Sequence, residues 1–226
     1  MRYTRFDLKR NKGKRSGKSI LTFISALIIL GAVSWTLLFS INIKDLTGSS
    51  AGSKSNSKNV NFTAIQGGMY AKDENVEKEK SALSSYGTPF VVKQGEVSRV
   101  FSGIYLEENY QLVIDAMNKN SKTNSKMVFK LNKNDLCDTE IAEIITANIK
   151  ILNKLSENGV KGVQTKDYKA WVTALKKPDS NSKNIEVIKQ LEDYVQKMPD
   201  TVTRDMAPDN YVFLYNILKN ISEISK

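Results

Sequence analysis

The pattern of hydrophobic and polar positions divides the chain into four parts. Residues 20–43 form an apolar run without a charged side chain, and residues 44–58 are rich in Gly, Ser, Asn and Lys without apolar periodicity. Residues 59–131 alternate between the two-residue period of strands and the longer period of helices. Residues 134–226 place apolar side chains three and four positions apart, which indicates helices.

The apolar run predicts an N-terminal transmembrane helix. About 20 residues rising roughly 1.5 Å each cover the hydrocarbon core of about 30 Å, and a helix satisfies the backbone polar groups there. The preceding tail, residues 1–19, contains eight basic residues and one acidic residue. The positive-inside rule therefore predicts a cytoplasmic tail, a single-pass anchor in the cell membrane and an extracytoplasmic remainder. A cleaved signal peptide is the less favoured alternative, because the nearest small-residue site, Ser49–Ala51, lies several residues beyond the run.

The segment 59–131 predicts a split βαβ, or ferredoxin-like, unit. Its elements are expected in the order β-α-β-β-α-β, at residues 60–66, 73–86, 88–93, 97–102, 107–117 and 127–131. Such a unit folds as a four-stranded antiparallel sheet with two helices on one face. The other face would then be open to solvent or to a ligand. We interpret residues 44–58 as a flexible linker that holds this unit a short distance from the membrane.

The C-terminal part, residues 134–226, predicts an α-helical bundle. Its four amphipathic stripes are separated by Asn158-Gly159, Pro178 and Pro199. Isolated amphipathic helices are marginally stable in water, so we expect the four to bury their stripes against one another. The predicted fold class is therefore α+β, with the transmembrane helix before the sheet and the helical bundle after it.

Charge and composition narrow the possible functions. The tail contributes +7 to the net charge of +10. The excess of basic residues therefore mainly indicates membrane topology and attraction to anionic lipid. We expect no nucleic-acid partner. The chain contains no His and only one Cys, Cys137, which excludes Ser-His-Asp and Cys-His catalysis, an intramolecular disulfide and the commonest zinc ligand. We therefore expect no enzymatic activity, no metal and no cofactor.

Carboxylate-based hydrolysis is the enzymatic alternative that this composition leaves open, because glycoside cleavage needs only two suitably placed acids. The candidate groups are Glu107 with Glu108, and Asp138 with Glu140 and Glu143. Neighbouring residues on a helix diverge, and acids are common near helix N-termini, so we interpret both groups as structural.

Two motifs within residues 59–131 resemble those of the SPOR domain, a bacterial peptidoglycan-binding module found in division and sporulation proteins. The first, at residues 65–70, reads Ile-Gln-Gly-Gly-Met-Tyr and is similar to a Val-Gln-x-Gly-x-Phe-like strand end. The second, at residues 98–105, reads Ser-Arg-Val-Phe-Ser-Gly-Ile-Tyr and is similar to a Tyr-Arg-Val-x-x-Gly-x-Phe-like strand. Both glycines and both trailing aromatic residues fall in register, whereas Ser98 and Phe101 depart from the residues common in the family.

The resemblance implies a membrane-anchored protein that binds peptidoglycan glycan strands stripped of their stem peptides, in septal or sporulation envelope remodelling. Because side chains alternate along a strand, Ile65 and Val100 should face the helices. The open face should carry the candidate glycan-binding residues Gln66, Arg99, Phe101 and Phe62. The alternative for the first two is an ordinary solvated sheet face. For the two phenylalanines the alternative is packing under a loop or against the C-terminal bundle. For these two residues we favour packing over glycan contact.

A second hypothesis is a protein-interaction scaffold of the division or sporulation machinery. In that case the helical region docks a protein partner, and the SPOR-like sheet binds no glycan. If the helical region is a separate bundle, binding to purified glycan sacculi of a chain that lacks this region would separate the two hypotheses.

Overall fold

The computed structural model describes residues 38–39 and 58–225 of the chain. Its strands are β1 (Leu38–Phe39), β2 (Asn59–Tyr70), β3 (Phe90–Gln94), β4 (Val97–Leu106), β5 (Ser125–Asn132), β6 (Gly162–Gln164), β7 (Thr201–Thr203) and β8 (Glu223–Ser225). Its α-helices are α1 (Asp73–Leu83), α2 (Tyr110–Lys119), α3 (Leu136–Leu155), α4 (Lys166–Ala174), α5 (Ile185–Lys197) and α6 (Ala207–Ile221).

The main sheet has five antiparallel strands in the order β3-β4-β2-β5-β8. The prediction of a four-stranded sheet is wrong, because residues 223–225, which were predicted as helix, form a fifth strand. Helix α6 stops at Ile221, where the next residue, Ser222, is extended with φ −107° and ψ 157°. The three residues of β8 then pair with β5 opposite residues 128–130. They cover a strand edge whose backbone groups would otherwise be unpaired.

One face of the sheet is covered by α1 and α2. Ile65 and Val100 are fully buried there and pack with Val76 and Leu83 of α1 and with Met117 of α2. The prediction that these two strand residues point towards the helices is confirmed.

The opposite face is covered by α3 and α6, so the prediction of an open face, with helices on one side only, is wrong. The strands present a continuous apolar surface here, which includes Phe90, Phe101 and Phe129. In water this surface would be a large contiguous apolar patch, which soluble proteins rarely expose. Instead, the ring centroid of Phe90 lies 5.2 Å from that of Tyr211, and the centroid of Phe101 lies 5.3 Å from that of Tyr215.

The C-terminal helices do not form a separate bundle, which also corrects the sequence-based prediction. The sheet, α3 and α6 share one hydrophobic core, and this core extends to Val163 of β6, Val172 of α4 and Leu191 of α5. Amphipathic helices and a sheet with an apolar face are stable only when they bury these surfaces together. The helices therefore complete the sheet instead of packing only with one another.

A small second sheet contains β1, β6 and β7. Strand β1 lies parallel to β6, so Leu38 and Phe39 of the predicted transmembrane helix are strand residues here. The described residues do not include the rest of that predicted helix. They also do not include the tail at residues 1–19 or residues 44–57 of the linker. None of the described helices is both long and apolar enough to span a bilayer.

Asn148 of α3 is a polar residue in an otherwise apolar core. It is fully buried, and among the described residues neither polar atom of its side chain has a hydrogen-bond partner. A buried group left unpaired costs about 1–3 kcal/mol. We therefore expect Asn148→Leu to raise the free energy of unfolding by a similar amount, measured by urea denaturation.

The matched control for this prediction is Asn153→Leu on the same helix. The Tyr211 hydroxyl donates to Asn153 Oδ1 at 2.7 Å, so this substitution removes a satisfied hydrogen bond and should lower stability. Destabilisation by both substitutions would contradict the assignment of Asn148 as unpaired.

Candidate functional site

At one end of the sheet, the face that α3 and α6 cover becomes polar and partly exposed. Gln66 and Met69 of β2, Gln94 of β3 and Arg99 of β4 lie here, and we call these four residues the Arg99 surface. Met69 is directly opposite Arg99 in the strand ladder and is 51% exposed. The other three side chains are partly exposed. Because residues directly opposite or two apart share a face, all four point to the same side of the sheet.

A β-bulge at Gly67 brings Met69 onto this face. Gln66 lies opposite Phe101 and Gly68 lies opposite Val100, so Gly67 has no partner residue in β4. The extra residue shifts the alternation by one position. As a result Met69, and not the glycine before it, shares the face of Gln66.

Helix α1 holds this bulge from the other face of the sheet. A Cβ atom on Gly67 would collide with the Glu79 carboxylate and the Leu83 side chain, so a larger residue would have to displace both. The carboxylate is itself fixed, because Glu79 Oε2 accepts hydrogen bonds from Lys122 Nζ at 2.7 Å and from the Tyr70 hydroxyl at 3.1 Å.

Two neutral amides hold the Arg99 guanidinium. Its Nε donates to Gln94 Oε1 at 2.7 Å, and its Nη1 donates to Gln66 Oε1 at 2.8 Å. Since both acceptors are uncharged, they orient the guanidinium without neutralising it. The positive charge of Arg99 also affects Tyr215. Burial raises the pKa of Tyr215, and the charge of Arg99 opposes part of this rise.

The structure brings two of the four candidate glycan-binding residues together and separates the other two from them. Gln66 and Arg99 meet on the Arg99 surface. Phe62 and Phe101 are fully buried, so their placement on an open face is wrong. The alternative, packing against the C-terminal helices, is confirmed for Phe101 by its contact with the Tyr215 ring.

Sequence reasoning missed Gln94 and Met69. Gln94 has the same strand parity as the buried Val92, and this signal could have identified it, but the following Gly95 indicates a turn at that point. Met69 was missed because the predicted strand ended at residue 66, whereas β2 continues to Tyr70. The glycines at 67 and 68 were the available signal, since glycine inside a strand often marks a bulge.

Of the acids of α3 that were considered for hydrolysis, Asp138 has a structural role. Asp138 is buried and accepts hydrogen bonds from Asn184 Nδ2 at 2.7 Å and from the backbone N–H of Asn134 at 3.3 Å. Burial is the main cause that raises the pKa of both Glu140 and Glu143.

Cys137, Glu107 and Glu108 were also considered as reactive groups. Burial, together with nearby acids, raises the pKa of the Cys137 thiol to about 11, so the thiol is protonated at neutral pH. Glu107 and Glu108 are exposed, and Glu107 accepts a hydrogen bond from Asn61 Nδ2 at 3.2 Å. Within the described part of the chain, no group of three or more His, Cys, Asp or Glu side chains is arranged to hold a metal ion.

Comparisons with known proteins identify no relative of this chain. No protein-family model, no curated protein and no solved structure matches this chain. The functional interpretation therefore depends on the motifs and the site geometry of this chain.

Proposed function

We propose that the protein is anchored in the cell membrane and binds peptidoglycan glycan strands outside it, without cleaving them. The Arg99 surface is the observation that carries this proposal. Residues 65–70 belong to β2 and residues 98–105 belong to β4, and these two strands are antiparallel neighbours. The two SPOR-like motifs therefore run side by side, and their polar residues, Gln66 and Arg99, are hydrogen-bonded to each other.

The chemistry of the Arg99 surface suits a sugar. Amide and guanidinium groups hydrogen-bond to hydroxyl and acetamido groups, and the exposed thioether of Met69 offers an apolar contact to the C–H face of a pyranose ring. Strands rather than loops carry these side chains, so they are positioned before a ligand arrives. A partly exposed surface at the end of a sheet is accessible to a polymer strand that passes across it.

The same surface supports binding without hydrolysis. Glycoside cleavage uses two carboxylates that are about 5–10 Å apart and flank the scissile bond. The four residues of the Arg99 surface include no carboxylate. We therefore assign the protein a recognition role in septal or sporulation envelope remodelling.

A protein-interaction scaffold is the second candidate function, and one cavity favours it. This cavity of about 480 Å³ is lined by residues of α5 and α6 and of the segment between them, among them Tyr194, Met198, Met206, Asp209 and Asn210. Its lining combines apolar side chains with two acids, Asp205 and Asp209, and one base, Lys197, which suits a peptide segment that presents apolar and charged side chains. In this alternative a division or sporulation protein docks on the helical region.

Replacing both Gln66 and Arg99 by Ala should weaken binding of the full-length protein to amidase-treated sacculi. Each hydrogen bond lost from such a shallow site costs about 1 kcal/mol, or severalfold in affinity per residue. Co-sedimentation of the detergent-solubilised protein with the sacculi measures the change, and thermal unfolding shows whether the variant is folded.

The matched control replaces Gln111 and Lys93 by Ala, which removes the same kind of amide from α2 and one positive charge from an exposed side chain on the opposite face of β3 from the Arg99 surface. It should bind as the wild type does. Unchanged binding by the Gln66/Arg99 double variant would exclude this surface. Absence of binding by the wild-type protein would favour the scaffold, to be tested with Met206→Glu in the cavity.

A further inference from the structure

Arg99 retains an unneutralised positive charge on a partly exposed surface. Its guanidinium forms two hydrogen bonds, both to amide oxygens. No carboxylate among residues 58–225 forms an ion pair with it. Three of its five N–H donors are thus left for another acceptor. An anion would gain most from them, because charge-assisted hydrogen bonds are about twice as strong as neutral ones.

Arg204, the other arginine in the described part of the chain, provides a contrast. Its Nε donates to the carbonyl oxygen of Leu155 and its Nη2 to that of Glu157, both at 2.7 Å. These carbonyls lie at the C-terminal end of α3, where the helix dipole is negative and attracts a cation. Arg204 therefore has a structural role, whereas the two amides that hold Arg99 leave its charge available.

We propose that Arg99 binds a carboxylate of the glycan, and that this carboxylate is the lactyl group of N-acetylmuramic acid. This inference rests on the proposed function and names the chemical group that the Arg99 surface recognises. A planar guanidinium presents two parallel N–H donors to a carboxylate, a geometry that a single ammonium group cannot reproduce. Gln66 and Gln94 act as positioning residues, since each fixes the guanidinium plane with a neutral acceptor.

The inference has a direct consequence for which glycan is bound. Where a stem peptide is attached, the lactyl carboxyl is part of an amide bond and carries no charge. Removal of the peptide by an amidase restores the carboxylate, and with it the partner of Arg99. The guanidinium thereby distinguishes stripped strands from peptide-bearing strands through one charge.

The experiment compares two preparations of amidase-treated sacculi. In one the carboxylates are intact, and in the other they have been converted to primary amides with a carbodiimide and ammonia. The full-length wild-type protein in detergent should bind the amidated form about tenfold more weakly, as expected for the loss of one charge-assisted contact. Arg99→Gln should bind both forms equally and weakly, and Arg99→Lys, which keeps the charge but not the paired donors, should show a smaller preference than the wild type.

Lys93→Gln is the control for net charge, because Lys93 is an exposed cation on β3 whose side chain alternates to the opposite face from Gln94. It should keep the wild-type preference. Equal binding of both forms by the wild type would overturn the carboxylate assignment while wall binding stands. Binding of neither form would overturn the proposed function and this inference together. A folded Arg99→Gln variant that still prefers intact carboxylates would overturn the role of Arg99.

Discussion

Removing residues 134–226 should leave the remaining chain unfolded instead of releasing an independent sheet domain. Without α3 and α6, ten side chains on one face of the sheet lose their cover: Phe62, Ala64, Phe90, Val92, Phe101, Ile104, Leu106, Met127, Phe129 and Leu131. Burial of a large apolar side chain contributes about 1.5–3 kcal/mol. The sum is at least as large as the roughly 5–15 kcal/mol by which a domain is usually stable.

Far-UV circular dichroism during heating measures this outcome, and the truncated chain should show no cooperative transition. The matched control ends at Ile221 and lacks only β8, whose residues Glu223 and Ile224 are exposed. That chain should fold with a modest loss of stability. A cooperative transition in the chain that lacks residues 134–226 would show that the sheet is a separable domain, which would contradict the shared core.

Phe101→Ala should lower the free energy of unfolding by about 3–5 kcal/mol, the range for removing a buried aromatic side chain. Phe101 is fully buried, and its ring centroid lies 5.0 Å from that of Phe90 and 5.3 Å from that of Tyr215. The loss therefore combines the cavity left behind with the two ring contacts. Urea denaturation of the purified protein measures the change.

Leu112→Ala is the control for this substitution, because Leu112 is 70% exposed and its truncation should change stability by less than about 0.5 kcal/mol. The same pair of variants also tests the role first predicted for Phe101. A variant of Phe101 that is fully stable but no longer binds sacculi would place the ring at the ligand surface after all.

The candidate site was predictable from the sequence only in part. Alternation along a strand depends on local geometry, and it correctly placed Ile65 and Val100 towards α1 and α2. The same rule put Gln66 and Arg99 on one face, where they are hydrogen-bonded. Met69 could not be identified in this way, because the bulge at Gly67 shifts the alternation by one position.

The sequence by itself determined the order of strands and helices across residues 59–132 and the side chains that point towards α1 and α2, since both follow from periodicity and from glycine and proline positions. Only the tertiary structure decided what covers the other face. Phe62 and Phe101 show the same pattern whether a ligand, a loop or a helix lies over them, because the hydrophobic effect favours burial without specifying the partner. Helices α3 and α6 cover that face over most of its length. The Arg99 surface lies where this cover ends, and no local pattern in the chain marks that position.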